Sequence, residues 1–300
     1  MAAPKRSSRS AQREGLGDTV LRQRIATALV LVAILGWALF APQRWPFTFL
    51  TLIMIAAAGW EWARLNQVPA MWSVVVGFAV AMAGVVTFAG WQTQAPALLW
   101  WLVVAVWALG GFIALRTGPA AWPRLPRGAR CVLGAIALWA AWLALVHARA
   151  VGINFMLSVL CLVWMADIAA YFGGRAFGRR KLASSISPGK SWEGVWSGLV
   201  GVFVLAAVWV ALDRRYGFDG PSLYTLLLDH LGIAGLVLAL AVMSGFSVVG
   251  DLIESLVKRA AGAKDSSRLL PGHGGVLDRV DALLPVLPLA LAFSVTARGL

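Results

Sequence analysis

Residues 232–250 read GIAGLVLALAVMSGFSVVG, and residues 251–281 continue DLIESLVKRAAGAKDSSRLLPGHGGVLDRVD. The first run carries no charge and comes close to the ~20 residues that cross a hydrocarbon core as a helix. The second is of another kind. Lys258, Arg259, Lys264 and Arg268 crowd together, and Pro271-Gly272-His273-Gly274-Gly275 and Asp278-Arg279-Val280-Asp281 follow them. Asp251 lies three residues before Glu254 and four before Ser255, spacings that share one helix face, and Asp278 and Asp281 have the same relation. Glycines around a histidine suit close approach of backbone to a bulky anion. Paired carboxylates beside clustered cations suggest a divalent metal holding a polyphosphate.

The rest of the chain is built like the first run. Its 300 residues are 60% hydrophobic and 13% charged, with mean hydropathy +0.78, which excludes a soluble globular domain. Apolar segments at 25–41, 47–63, 69–89, 96–115, 131–148, 152–172, 192–212, 232–250 and 282–297 predict an all-α, polytopic membrane bundle of about nine transmembrane helices. Pro285 and Pro288 predict a kink in the last. Residues 1–24 are polar and basic and are expected to form a disordered cytoplasmic arm before a membrane domain spanning 25–300. With the N-terminus inside, cytoplasmic segments hold 21 of the 26 Lys and Arg residues, as the positive-inside rule requires. The net charge of +13 therefore points to a membrane surface, not to nucleic acid. Cys131 and Cys161, both in apolar runs, are expected as small packing residues.

A second polar stretch faces the same side. Asp167 and Tyr171, four apart at the end of the sixth segment, share a helix face, and an acid so deep in an apolar run defaults to a functional hypothesis. Arg175, Arg179, Arg180 and Lys181 follow, then Ser187-Pro188-Gly189-Lys190-Ser191-Trp192-Glu193-Gly194. Serine, glycine and lysine together suit phosphate oxygens. The loop is not a Walker A motif, because Ser184 stands where that motif needs glycine. Its arginines also suit lipid headgroups as plain topology determinants.

Both stretches resemble the phosphatidate cytidylyltransferase (CDP-diacylglycerol synthase) family. That family's signature is met at Ser255, Lys258, Arg259, Lys264, Asp265, Ser267, Leu270, Pro271, His273, Gly274, Gly275, Asp278, Arg279 and Asp281. The second loop is similar to the family's Asp-x-x-Ala-Tyr and Ser-Pro-Lys-Lys-Thr patterns, with Gly189 at the first lysine and Ser191 at the threonine. The resemblance implies condensation of CTP with phosphatidic acid to CDP-diacylglycerol and pyrophosphate at the inner, plasma membrane. It implies catalytic roles for Lys258, Arg259, Lys264, Asp265, His273, Asp278 and Asp281. Nucleotide contacts fall on Ser187, Lys190, Glu193, Gly274, Gly275 and Arg279. Asp251, Asp278 and Asp281 are the metal ligands it implies. Hard oxygen ligands without Cys/His spacing favour Mg2+, with a second cation admissible. The partners are CTP, phosphatidic acid and membrane lipids, with a homodimer admissible and no nucleic acid.

Two other classes compete. A secondary transporter also carries intramembrane acids, yet it gives no reason for the basic loop and its glycine turn. An inactive lipid-binding scaffold would keep the helices but tolerate changes at Ser187, Lys190 and Asp281. His147 and His230 are expected to be structural, Glu61 to snorkel or cap, and Asp213-Arg214-Arg215 to form an ordinary turn. Gly194 and Gly198, four apart, fit close helix packing.

Overall fold

The computed structural model describes residue 30, residues 32–91 and residues 95–299. The basic arm 1–24 and the start of the first apolar segment lie outside the described residues. Residues 32–40 are helical (α1). The long helices that follow are α2 (Trp45–Leu65), α3 (Ala70–Gly90), α4 (Ala97–Thr117), α5 (Arg127–Val151) and α6 (Ile153–Phe177). A two-stranded antiparallel hairpin, β1 (Lys181–Ala183) and β2 (Ser187–Ser191), leads into α7 (Trp192–Tyr216) and α8 (Leu223–Ala260). The short α9 (Leu277–Val280) and then α10 (Leu283–Gly299) close the chain. Among the described residues, 8 helices are long and apolar enough to cross a membrane, with α9 and α10 counted as one. They match the second to ninth predicted segments.

The spans begin and end where local chemistry dictates. Pro69, Pro96 and Pro126 precede α3, α4 and α5 in extended backbone, since proline is excluded from helix interiors but tolerated at their starts. Ser191 and Ser222 cap α7 and α8 by accepting the Gly194 and Thr225 N–H groups. The predicted start at 232 falls on Gly232, which breaks α8 with φ 69 and leaves a short N-terminal arm, 223–231. α8 ends in a Schellman motif. Ala263 N–H donates to Lys258 O and Gly262 N–H to Arg259 O, with Gly262 at φ 69.

The expected kink at the prolines does not interrupt α10, which stays helical through Pro288. Pro285 falls in its first turn, where an N–H would be unpaired anyway. The break lies earlier, at Asp281–Ala282, between α9 and α10. α10 is the central helix, packed against α4, α5, α6 and α8, and most of its side chains are buried. α3, α4 and α7 turn large apolar side chains outward, among them Phe78, Leu109, Phe112 and Val204. Such surfaces suit lipid.

At one end of the bundle, Asp213 is more than a turn residue. It accepts Asn154 Nδ2, Ser222 N and Thr225 Oγ1, and so ties α6, α7 and α8 together. The hairpin and the 261–276 loop lie at the other end.

Candidate active site

α6 and α7 pack so closely that a Cβ on Gly194 or Gly198 would press on the carbonyls of Ala170 and Ala166. That approach, which the glycine spacing anticipates, sets the base of the hairpin. Glu193, at the first turn of α7, accepts the backbone N–H groups of Arg179 and Arg180 and clamps the strand entry. Its carboxylate is thereby spent on the hairpin. β2 then carries Lys190 across to α8, where Nζ meets Asp251 Oδ2 at 2.6 Å. Ser255 Oγ donates to Asp251 Oδ1 at 3.3 Å, so the four-residue spacing places both groups on one face. Arg259 adds a second tie between the stretches, donating from Nε to Ile186 O in the hairpin.

These elements enclose a cavity of about 450 Å3 between α6, α7 and α8. Asp167, Tyr171, Arg175, Ser187, Lys190 and Asp251 are among its polar lining residues, and Val195, Leu199 and Val248 among its apolar ones. Asp281, from the α9–α10 break, lies within electrostatic reach of Asp251 and Asp167. Lys190 acts on Asp167 as well as on Asp251. Acids from two helices and from the α9–α10 break, with a lysine from β2, thus converge at one end of the bundle. The deep acid Asp167 belongs to that cluster.

The rest of the signature is organised by a different network. Although the backbone stays helical from Leu277 to Asp281, whose N–H donates to Leu277 O, Asp278 has partners of its own. Its Oδ1 accepts Lys258 Nζ at 2.6 Å, and its Oδ2 accepts Ser266 N, Ser266 Oγ and Gly275 N at 2.8–2.9 Å. Lys258 also lies against Glu254 Oε2 at 2.5 Å. Lys258 is therefore turned into the protein.

The Gly275 N–H, expected for phosphate, is likewise spent on Asp278, and a Cβ on Gly274 would press on the same carboxylate. Arg279 donates from Nε and Nη2 to His273 O, which closes the turn. His273 is half-buried, with Nδ1 3.3 Å from Pro271 O. Lys264 and Asp265 are exposed at the loop surface.

One residue of this network carries little sequence signal. Glu61 of α2 is fully buried and accepts Ser266 Oγ, Ser267 Oγ, Val276 N and Leu277 N. It neither snorkels nor caps its own helix. Its only mark in the sequence is an acid between Trp60 and Trp62 in an apolar run. The other site residues are carried by the two polar stretches and the helix ends beside them.

The model of the cytidylyltransferase family matches residues 22–297. The chain belongs to the cytidylyltransferase family. Among its relatives, the phosphatidate cytidylyltransferase of Pseudomonas aeruginosa is 39% identical over 281 residues, covering 91% of this chain and 96% of the relative. That of Haemophilus influenzae is 36% identical, covering 90% and 96%. The Brucella suis protein of the same name is 42% identical over 142 residues, 47% of each chain.

For this cytidylyltransferase the donor chemistry can be set against Mg2+. Among the described residues, no group of three or more His, Cys, Asp or Glu side chains is arranged to hold a metal ion by itself. Mg2+ characteristically takes one or two carboxylates and completes its shell with waters and substrate phosphates. Asp251 and Asp281 fit that pattern, and Asp281 accepts only the adjacent Ala282 N–H among the hydrogen bonds of the described residues. Asp278 fits it less well. A carboxylate offers about four lone-pair sites, and Lys258, Gly275 and both donors of Ser266 already occupy them.

Proposed function

We propose that the protein condenses CTP with phosphatidic acid at the cytoplasmic face of the bacterial inner membrane, giving CDP-diacylglycerol and pyrophosphate. A phosphate oxygen of the lipid attacks the α-phosphorus of CTP, and the bond from that phosphorus to the pyrophosphate oxygen breaks. The nucleophile is already anionic, so the task of the site is to align two anions and neutralise them. The observation that carries this reading is the cavity between α6, α7 and α8. Lys190, Arg175 and Ser187 line it together with Asp167 and Asp251, beside apolar side chains of the same helices.

In this reading Lys190, Arg175 and the Ser187 hydroxyl bind the triphosphate, and Asp251 and Asp281 hold Mg2+. Bound Mg2+ supplies charge neutralisation for the phosphates. Lys258, Asp278, Gly274 and Gly275 set the loop that presents Asp281, and Glu193 sets the hairpin that presents Lys190.

The test is pyrophosphate release by the purified protein with CTP and Mg2+, with and without phosphatidate, alongside Asp251→Asn and Asp281→Asn. Release should require both substrates and fall by about 10²-fold or more in either variant. Release without lipid, or variants that turn over normally at saturating metal, would overturn the assignment.

A further inference from the structure

Arg130 is a buried cation without an anion. It stands near the start of α5, is 6% exposed, and takes part in no ion pair among the described residues. Its Nε is enclosed and has no partner, and Nη1 makes only a long contact to Asn66 Oδ1, at 3.4 Å. A guanidinium keeps its charge in a protein, and a buried charge is costly without a counter-charge. The acid Glu61 does not supply one. Its neighbour Trp62 donates from Nε1 to Arg130 O, but the Glu61 carboxylate itself is taken up by four donors of the signature loop. Helical side chains tilt toward the N-terminus, so the guanidinium leans toward the first turn of α5, whose N–H groups have no helical acceptor. Arg124 and Arg127, both exposed, flank that turn.

The neighbours of Arg130 also wall an apolar cavity of about 410 Å3, chiefly between α4, α5 and α8. Trp62 and Trp122 line it, and Trp122 Nε1 donates to the same Asn66 Oδ1 that Arg130 reaches. Along α5 the lining continues from Arg130 at helical spacing, through Leu133, Gly134 and Ala137. Leu102, Val106 and Ile136 of the lining are exposed, so the cavity opens toward lipid. α8 separates it from the cavity of the proposed reaction: Asp251 lines that one, while Gly250 and Glu254 line this one.

We propose that this site binds an anionic phospholipid of the surrounding leaflet that is not the substrate, with an acyl chain in the cavity and the headgroup phosphate on Arg130. Basic pockets between membrane helices take such headgroups. A free phosphate would leave the cavity unfilled, and a zwitterionic lipid would bring a cation of its own to the guanidinium. The reacting phosphates stay on the other side of α8. The bound lipid braces the end of α2 that carries Trp62 and, beside it, the Glu61 that holds the signature loop.

The experiment uses the purified, delipidated protein in detergent. Dioleoyl phosphatidylglycerol, dioleoyl phosphatidylcholine and glycerol phosphate are the probes, read by thermal unfolding and by retention in native mass spectrometry. Phosphatidylglycerol should raise the unfolding temperature and be retained, and the other two should do neither. Arg130→Met should weaken its binding by about tenfold or more, as loss of one charge-assisted hydrogen bond does, and Arg130→Lys should recover part of the loss. Ala137→Trp fills the cavity without touching the guanidinium and should lose the lipid as well.

Equal retention of the two lipids, or stabilisation by glycerol phosphate alone, would overturn the site. So would phosphatidylglycerol binding that is unchanged in Arg130→Met or in Ala137→Trp. Should Arg130→Met fail to fold, Arg130→Lys and Ala137→Trp carry the comparison. Neither readout uses turnover, so a protein that releases no pyrophosphate yet binds phosphatidylglycerol through Arg130 refutes the reaction and keeps the site.

Discussion

The carboxylate of Glu61 fills the space that a side chain on Gly275 would need, with Ser266 Oγ crowding the same point. The two residues are far apart in sequence, yet the residues next to Gly275, Val276 and Leu277, donate their N–H groups to Glu61 at 3.0 and 2.7 Å. This contact fixes the path of the signature loop and explains a glycine that a phosphate-binding reading assigns to a ligand.

Gly275→Ala should therefore act on the fold before it acts on chemistry. The added methyl meets a buried, fully hydrogen-bonded carboxylate, and overpacking of that kind costs about 1–3 kcal/mol. Thermal unfolding in detergent should shift down measurably. Gly189→Ala, with nothing within 4 Å of the new methyl, should leave the unfolding temperature unchanged. Equal shifts in the two variants would refute the packing account.

Glu61→Gln tests the other partner. The amide presents an NH2 group toward donors and loses the charge that strengthens four hydrogen bonds. A hydrogen bond to a charged group contributes about 1.5–3 kcal/mol, so a loss of at least that size is expected. Amide exchange should accelerate over residues 264–277 while α2 itself remains protected. Unchanged exchange in the loop would show that Glu61 does not hold it.

How far these features were legible depends on the distance over which each is determined. The spans were legible because ~20 apolar residues suffice to define one, and even the start at Gly232 follows from local composition. The Asp251–Ser255 pair was legible because a four-residue spacing is geometric on any helix. The three-residue spacing of Asp278 and Asp281 is helical too, but the donors that Asp278 takes from Ser266 and Gly275 lie in a loop about which that spacing says nothing. The role of Glu61 was not legible, since its partners lie more than 200 residues away and one sequence carries no record of long-range pairing. Asp213 was missed for a related reason, because it joins three helices that only the fold brings together.

Lys190 separates catalysis from stability. The Lys190–Asp251 pair is about a quarter exposed on both sides, and ion pairs that reach solvent stabilise by about 0–1 kcal/mol. Lys190→Met should unfold close to the wild-type temperature. Its rate of CTP-dependent pyrophosphate release should nevertheless fall by about 10²–10³-fold, the usual loss for one electrostatic group facing a developing anion. Lys190→Arg should recover only part of the rate, because a planar fork does not replace a compact ammonium. A Lys190→Met protein that is stable and fully active would remove the hairpin from the site.

Lys258 should behave in the opposite way. Its side chain is 13% exposed, between Glu254 at 2% and Asp278 at 8%, so one buried ammonium faces two buried carboxylates. Lys258→Met strands both acids, and breaking a buried pair from one side costs about 3–5 kcal/mol. Glu254→Gln keeps the size of the side chain and leaves the Lys258–Asp278 pair intact, so it should be neutral or slightly stabilising. Glu254→Gln added to Lys258→Met should restore part of the lost stability, because neighbours in one network are not additive. The three variants, unfolded under the same detergent conditions, give that coupling directly. If the double variant is as unstable as the sum of the singles, Glu254 and Lys258 act independently, and the loss in Lys258→Met comes from Asp278 alone.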